Sequence, residues 1–379
     1  MIGEIDVREA NSKKDRDLFL KVPFKTFAGC ENFVPQLFFE RNEHISPKKN
    51  PYFDHATVQL FIAERDGEIV GRISAQINDL HLERYKDATG HFGFLDAVDD
   101  EAVFKALLDT AADWLKQRGM KRMFGPMNFS INEDIGILID GFDTPPSVMM
   151  PHARRWYQKH VEALGYKTAK DVIAYNFEDL PEPPRAMQMM VRKASKSGDL
   201  VVRGFSKKNL KRDLKIVIDL FNDAWSNNWG FVPMTQAEIT ALGDALKILV
   251  QEDYVAIAEY KGVPAAMAVT LPNINNWIKD LDGKLFPFGV FKILWRMKFT
   301  PLESARMPLM GVKKEFHGTP VGSALALAVI EAVRVAHKAR GVKRAELSWI
   351  LEDNFAMRHV IENLGGEPYK TYRVYEASL

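Results

Sequence analysis

The same order of strand and helix signals is written twice along this chain, once on either side of a proline-rich seam. The seam reads Asp179-Leu-Pro-Glu-Pro-Pro-Arg185. Proline lacks the amide that a strand ladder or a helix interior needs, so neither element can run through it. The residues that follow, 187–198, read as a short helix or a linker. A length of 379 residues also favours two domains, at roughly 100–200 residues each. The expected division is a first domain over 1–180, a linker over 181–199 and a second domain over 200–379.

Before the seam, strands are expected at 5–10, 58–64, 69–77, 92–98, 122–127 and 172–177, with Arg65-Asp-Gly-Glu68 as a hairpin turn. Helical spacing marks 15–27, 154–164 and 101–117, where Val103, Leu107, Leu108, Ala111 and Leu115 recur on one face before Gly119. After the seam, strands are expected at 200–205, 254–260, 265–271, 307–313, 344–350 and 372–376. Helices are expected at 210–225, 238–250, 323–339 and 355–364. The order β, α, α, β-hairpin, β, α, β, α, β thus occurs twice. It predicts an α/β (α+β) protein of two tandem domains, each a mixed, mostly antiparallel twisted sheet flanked by helices.

Composition excludes several function classes. Hydrophobic residues make up 46% and charged residues 27% of the chain, as in a globular protein with a real core. A net charge of +1 gives no global field to gather nucleic acid, so no nucleic-acid partner is expected. Cys30 is the only cysteine, which rules out an internal disulfide. With no base to place beside it, it reads as a small residue near a loop. No paired Cys/His spacing and no nucleotide P-loop occur, so no metal is expected. No basic segment leads into an apolar one at the start, and no apolar run reaches about 18 residues, so a cytoplasmic protein is expected.

One strand-to-helix junction points to chemistry. It reads Val312-Lys-Lys-Glu-Phe-His-Gly-Thr-Pro-Val-Gly-Ser-Ala-Leu325. Helix-start amides carry partial positive charge and hold phosphate, and glycine lets backbone approach a ligand closely. A second segment, Ser348-Trp-Ile-Leu-Glu-Asp-Asn-Phe355, puts an asparagine where a helix must be capped.

On these residues each half resembles a domain of the GNAT superfamily of N-acyltransferases. That resemblance implies acyl-CoA bound beside two splayed central strands, with its pyrophosphate on the amides that open the helix after strand four. Here the implied cofactor-binding residues are Val312, Lys314, His317, Gly318, Thr319, Val321, Gly322, Ser323 and Asn354. The family's pattern is Arg or Gln, two residues, Gly, one residue, Gly or Ala. This chain has His317, Pro320 and Gly322 at those places, so two of the three depart. The tyrosine that the family often carries seven residues after the asparagine is Ile361 here, leaving Tyr369 or Tyr372 as replacements. In the first half the same junction holds Asp96, Asp99, Asp100 and Glu101, which repel phosphate. The first domain is therefore expected to bind no cofactor.

The segment 125–151 is similar, more narrowly, to that of a family of tandem GNAT proteins that includes the bacterial ceramide synthases. This implies an N-acyltransferase that moves an acyl group from acyl-CoA, or an acyl carrier protein, to an amine, with a sphingoid-type lipid amine as a candidate acceptor. Alternatives are an acetyl-CoA-dependent N-acetyltransferase of a small molecule and a degenerate, non-catalytic binding protein. An aminoacyl-tRNA donor is disfavoured because no basic stripe is present.

Acyl transfer needs an amine that loses a proton, donors for an oxyanion and a thiolate that leaves. Glu352, at a strand's C-terminal end where ligands gather, His317 and Tyr372 are the candidate catalytic residues. Asn128, Asn132 and Glu133 form a polar cluster in an apolar stretch and are candidates for the acceptor. The insertion 276–299 interleaves Phe286, Phe288, Phe291, Trp295 and Phe299 with Lys292, Arg296 and Lys298. That composition suits an acyl pocket or peripheral contact with a membrane face, and it adds Trp295 to the acceptor candidates.

Overall fold

The structure, a computed structural model, describes residues 3–196, 198–246 and 250–379. It divides into two compact units. The first comprises Met1–Val172, Trp277–Leu294 and Lys370–Leu379, and the second Ile173–Asn276 and Trp295–Tyr369. The last ten residues of the chain therefore belong to the first unit, and the segment from Ile173 to the seam belongs to the second.

In chain order the first unit holds β1 (Ile5–Glu9), α1 (Lys13–Thr26), α2 (Phe38–His44), β2 (Ala56–Arg65), β3 (Glu68–Asn78), α3 (Asp79–Tyr85), β4 (Thr89–Ala97), α4 (Glu101–Lys116), β5 (Arg122–Gly125), three short strands β6 (Met127–Asn128), β7 (Asp134–Ile135) and β8 (Ile137–Asp140), and α5 (Trp156–Ala163). Strand β9 (Lys167–Glu178) leads into α6 (Arg185–Lys196), β10 (Leu200–Gly204), α7 (Leu210–Trp225), α8 (Gln236–Leu246), β11 (Val255–Tyr260), β12 (Val263–Pro272), α9 (Asn275–Ile278), α10 (Gly289–Phe299), β13 (Ser304–Val312), α11 (Pro320–Ala339), β14 (Arg344–Leu351), α12 (Phe355–Asn363) and β15 (Glu367–Ser378). The twice-written order is thus the order of the fold. The stretch read as a short helix or a linker is the helix α6, whose Met187, Val191 and Ala194 pack on the second unit's core. The helix expected over 238–250 is α8 as far as Leu246. Residues 247–249, and residue 197 of the linker stretch, lie outside the described residues.

In the first unit neighbours run β1-β2-β3-β4-β5, all antiparallel except the parallel pair β4–β5. The end of β15 pairs antiparallel with β5, placing Tyr375 opposite Gly125. In the second unit β10-β11-β12-β13-β14 repeats the pattern, with β13–β14 parallel. The repeat extends to details. Both hairpins turn on two residues of positive φ, Asp66 (53°) and Gly67 (78°) in one, Lys261 (51°) and Gly262 (78°) in the other. That twist matches the twist of the flanking strands. Both units also tie first strand, first helix and second strand with one arginine. Arg8 bonds Asp15 at 2.6 Å and Glu64 at 2.6 Å; Arg203 bonds Asp213 at 3.0 Å and Glu259 at 2.9 Å.

The second unit's core forms where α11 lies on a sheet face of small residues. Leu325, Val329 and Val333 pack into the cluster that holds Ala256, Ala258, Ala266 and Ala268. Alanines let the helix approach closely, and its apolar residues recur at helical spacing. Helix α11 is long and apolar enough, by length and composition, to cross a membrane, but half of it is buried in this packing.

In each unit the parallel pair opens into a fork. Residues of β13 and β14 face each other from Ser304–Arg344 to Met307–Leu347, while β13 stays paired with β12 as far as Val312. In the first unit β4 and β5 face each other only from Thr89–Arg122 to His91–Phe124, while β4 stays paired with β3 as far as Ala97.

Candidate active site

The fork of the second unit begins at a buried, fully bonded cluster. Arg306 and Glu346 sit opposite each other, 3.6 Å apart. The Arg306 Nε donates to the Ser348 hydroxyl at 2.7 Å, and the hydroxyls of Ser348 and Tyr369 both donate to the Glu346 carboxylate. A buried ion pair is tolerated only when its remaining lone pairs and protons are met in this way. The Tyr369 hydroxyl is therefore committed to Glu346. Beyond the cluster the strands part, and a cavity of about 70 Å³ opens between Met307, Ser348 and Trp349.

That cavity shares Trp225, Met310 and Asn354 with a cleft of about 530 Å³. One wall of the cleft is the junction between β13 and α11. Thr319 caps α11: its hydroxyl oxygen accepts from the Gly322 amide at 3.0 Å while its proton goes to the Phe316 carbonyl at 2.8 Å. The His317 Nε2 donates to the Val312 carbonyl at 2.7 Å, closing the loop across its base. Gly318 turns with φ at 70°. The far wall is the start of α12, where Asn354 accepts from the Met357 amide at 3.2 Å. The end of α7 fills the third side. There the Trp225 indole donates to the Met310 carbonyl at 3.3 Å, and Asn227 accepts from the Lys314 ammonium at 3.0 Å.

Of the expected cofactor residues, Val312, His317, Gly318, Gly322, Ser323 and Asn354 all line this cleft. Lys314, Thr319 and Val321 shape the loop without lining it. The expected catalytic residues scatter more widely. His317 lines the cleft. Glu352 stands at the end of β14, where its carbonyl accepts from Arg358 at 2.7 Å, but the lining carboxylate there is its neighbour Asp353. Tyr372 is in the first unit, fully buried and paired across to Leu138. Ile361 is buried in the second unit's core and supplies no proton donor. Trp225, Asn227 and Asn228, all cleft residues, escaped the sequence reading. The run Trp-Ser-Asn-Asn-Trp-Gly directly after an amphipathic helix was the available signal.

The acceptor candidates divide between the units. Asn128, Asn132 and Glu133 belong to the first, Trp295 to the second. The Asn128 side chain accepts from the Phe94 amide at 2.7 Å, and Glu133 pairs with His44 at 2.5 Å. Ser130 accepts from the Asn132 amide at 3.2 Å. Asn128 also lines a cavity of about 110 Å³ in the first unit, walled by Phe24, Phe27, Arg41 and the ion pair Arg72–Asp96. His152 lines it too, and its Nε2 is 3.6 Å from the Cys30 sulfur. A base thus stands beside Cys30 after all, brought there from 122 residues away. Burial, reinforced by Lys370 and Arg154, pushes the His152 ring down to about 4. At the start of α4 the Asp100 carboxylate accepts from the Ala102 amide at 2.9 Å, so an anion already occupies that helix end. Among the described residues no group of three or more His, Cys, Asp or Glu is placed to hold a metal.

Trp295 lies on α10. This helix and the residues before it leave Phe288 (79% exposed), Phe291 (68%), Trp295 (60%), Phe286, Leu294 and Phe299 in solvent. Phe291, Leu294, Trp295 and Phe299 follow a spacing of three and four residues, one stripe of a helix.

A sheet forked between its parallel strands and built twice in one chain, with a glycine-bearing capped helix start facing the second fork, defines a tandem GNAT-fold protein. The solved structure of a tandem GNAT protein from the clavulanic acid biosynthesis pathway superposes with a TM-score of 0.55 at 15% identity, covering 99% of this chain and 98% of that one. Sequence similarity is much closer elsewhere. The chain is 44% identical over 378 residues to the bacterial ceramide synthase of Caulobacter vibrioides (strain NA1000 / CB15N), covering 100% of this chain and 98% of that protein. It is 44% identical over 375 residues to Protein YghO of Escherichia coli (strain K12), with 98% and 95% covered. No family model matches. The chain belongs to the family of tandem GNAT proteins represented by these two relatives.

Proposed function

We propose that this acyltransferase moves an acyl group from a CoA thioester, held in the cleft of the second unit, to the amine of a sphingoid-type lipid. The observation that carries the thioester assignment is the cleft itself. It brings six of the nine residues expected to hold the cofactor around one 530 Å³ space at a strand fork. Support for the lipid amine comes from the relative named a ceramide synthase.

The pyrophosphate would lie at the α11 start, where the amides of Gly318 and Val321 and the helix dipole favour negative charge. The thioester would reach into the fork past Trp225. There the Met310 carbonyl points at the indole. In an extended strand a residue's amide and carbonyl leave on the same side, so the Met310 amide faces the fork too and can donate to the oxyanion as the amine attacks. His317, its Nε2–H given to Val312, keeps Nδ1 for the cofactor. Asp353 lines the cleft and would take the amine's proton, with Glu352 beside it. The carbon–sulfur bond then breaks, and the thiolate leaves as CoA.

A lipid acceptor has to be drawn from a membrane, and the exposed aromatic stripe of α10, with Lys292, Arg296 and Lys298, is suited to anionic lipid. That would place the protein at the inner membrane face as a peripheral partner.

Calorimetric titration with CoA, acetyl-CoA and palmitoyl-CoA tests the donor site. Binding that favours palmitoyl-CoA and disappears in Gly322→Val supports the assignment. If none of the three binds, the cleft is not a CoA site. Incubation with palmitoyl-CoA and a sphingoid base should then yield the N-acylated product by mass spectrometry, slowed in Asp353→Asn and Glu352→Gln.

A further inference from the structure

We propose that an apolar cavity beneath α7 and α8 of the second unit receives the distal part of the donor's acyl chain and selects chains by length. The inference rests on the reading of the neighbouring cleft as the thioester site.

The cavity measures about 100 Å³, and all its lining side chains except that of Lys207 are apolar. A native core normally fills such space, because side chains facing a void lose their contacts. An apolar void of this size stays dry and takes up apolar ligands of matching shape. The lining follows one helix for several turns. On α7 alone the lining residues run from Leu210 to Phe221, a stretch of about 16 Å at 1.5 Å per residue, along which an acyl chain can lie.

The cavity adjoins the cleft. Phe221 lines the cavity, Trp225 lines the cleft, and their rings pack at 5.0 Å. Leu309 lines the cavity and the next residue of β13, Met310, lines the cleft. This aromatic pair and strand β13 stand between the fork and the apolar space. Gly243 of α8 faces the cavity at its helix-packed end. A Cβ there would stand 2.7 Å from Leu214 Cδ1. Glycine in a helix interior is otherwise unfavourable; here its missing Cβ leaves Leu214, itself a lining side chain, in place, and a side chain at 243 would push Leu214 into the cavity.

The test uses the full-length protein and two probes, palmitoyl-CoA and free palmitate, against wild type, Gly243→Leu and Leu214→Ala. Acetyl-CoA binding should be unchanged in Gly243→Leu, while palmitoyl-CoA and palmitate bind at least tenfold more weakly. Leu214→Ala, which enlarges the cavity, should shift preference from palmitoyl-CoA towards stearoyl-CoA and guards against a fold defect in the first variant. Palmitate binding that depends on Gly243 in a protein that binds no CoA would uphold the cavity and overturn the cleft. Equal palmitoyl-CoA and palmitate binding in wild type and Gly243→Leu, or no palmitate binding in wild type, would overturn the cavity proposal.

Discussion

Gly322 backs onto the carbonyl oxygen of Phe316 so closely that a Cβ built on it would stand 2.1 Å away. The obstacle is backbone, which cannot swing aside as the end of a side chain can. The tight loop that Thr319 caps therefore exists only with glycine at this place. Gly322→Val should push the 316–322 loop open and weaken CoA binding more than tenfold by calorimetry. The cost in stability should stay near the 1–3 kcal/mol of an overpacked site, so the variant remains folded by circular dichroism.

The duplicated arginine triads give a paired stability test. Asp213 is fully buried, with Arg203 and the Ser206 amide as partners. Asp15 is only partly buried beside Arg8. Arg203→Met leaves a buried carboxylate short of a partner and should cost about 2–3 kcal/mol. Arg8→Met breaks a pair nearer the surface and should cost about 1 kcal/mol or less. Urea unfolding of both variants reads the difference; equal losses would show that burial does not separate the two triads.

His337 makes stability depend on pH. Burial pushes the ring from its ordinary 6.5 down to about 4, against the pull of Asp253. It meets the Thr270 hydroxyl at 2.6 Å and stacks on Tyr254 at 4.3 Å. The fold holds the ring neutral while the unfolded chain protonates it near 6.5, so the unfolded state binds more protons as pH falls between these values. Stability should therefore be fully present above about pH 6.5 and decline towards pH 4. Each pH unit is worth at most about 1.4 kcal/mol, and the whole decline about 3 kcal/mol. His337→Gln should flatten this slope relative to wild type in unfolding curves at pH 7, 5.5 and 4.

The α10 stripe predicts binding to lipid surfaces. Replacing Phe288, Phe291 and Trp295 by serine should abolish co-sedimentation with anionic vesicles. Melting temperature should hold or rise slightly, because these side chains are exposed already. Unchanged sedimentation would remove the membrane from the proposed function.

Much of the fold was legible because it rests on local pattern. Helix α7 runs over the residues that its apolar spacing marks, Leu210–Trp225, and the Asp66-Gly67 turn follows from the two residue types that tolerate positive φ. The turn and caps around the α11 and α12 starts were legible for the same reason: Gly318, Thr319, Gly322 and Asn354 act within a few residues of their own position. The insertion showed its aromatic content but not its stripe, which needs the phase of a helix that begins at Gly289.

The sequence alone therefore determined the repeated element order, both hairpins, the capped start of α11 and the acidic start of α4, because each depends on neighbours along the chain. Tertiary structure decided the rest. It set Tyr372 and the last ten residues in the first unit, committed Tyr369 to Glu346, put His152 beside Cys30, and brought Trp225 and Asn228 to the cleft. These relationships join residues tens to hundreds of positions apart. Only packing of the sheets and helices, which minimises exposed apolar surface across the whole chain, fixes which distant side chains share a site.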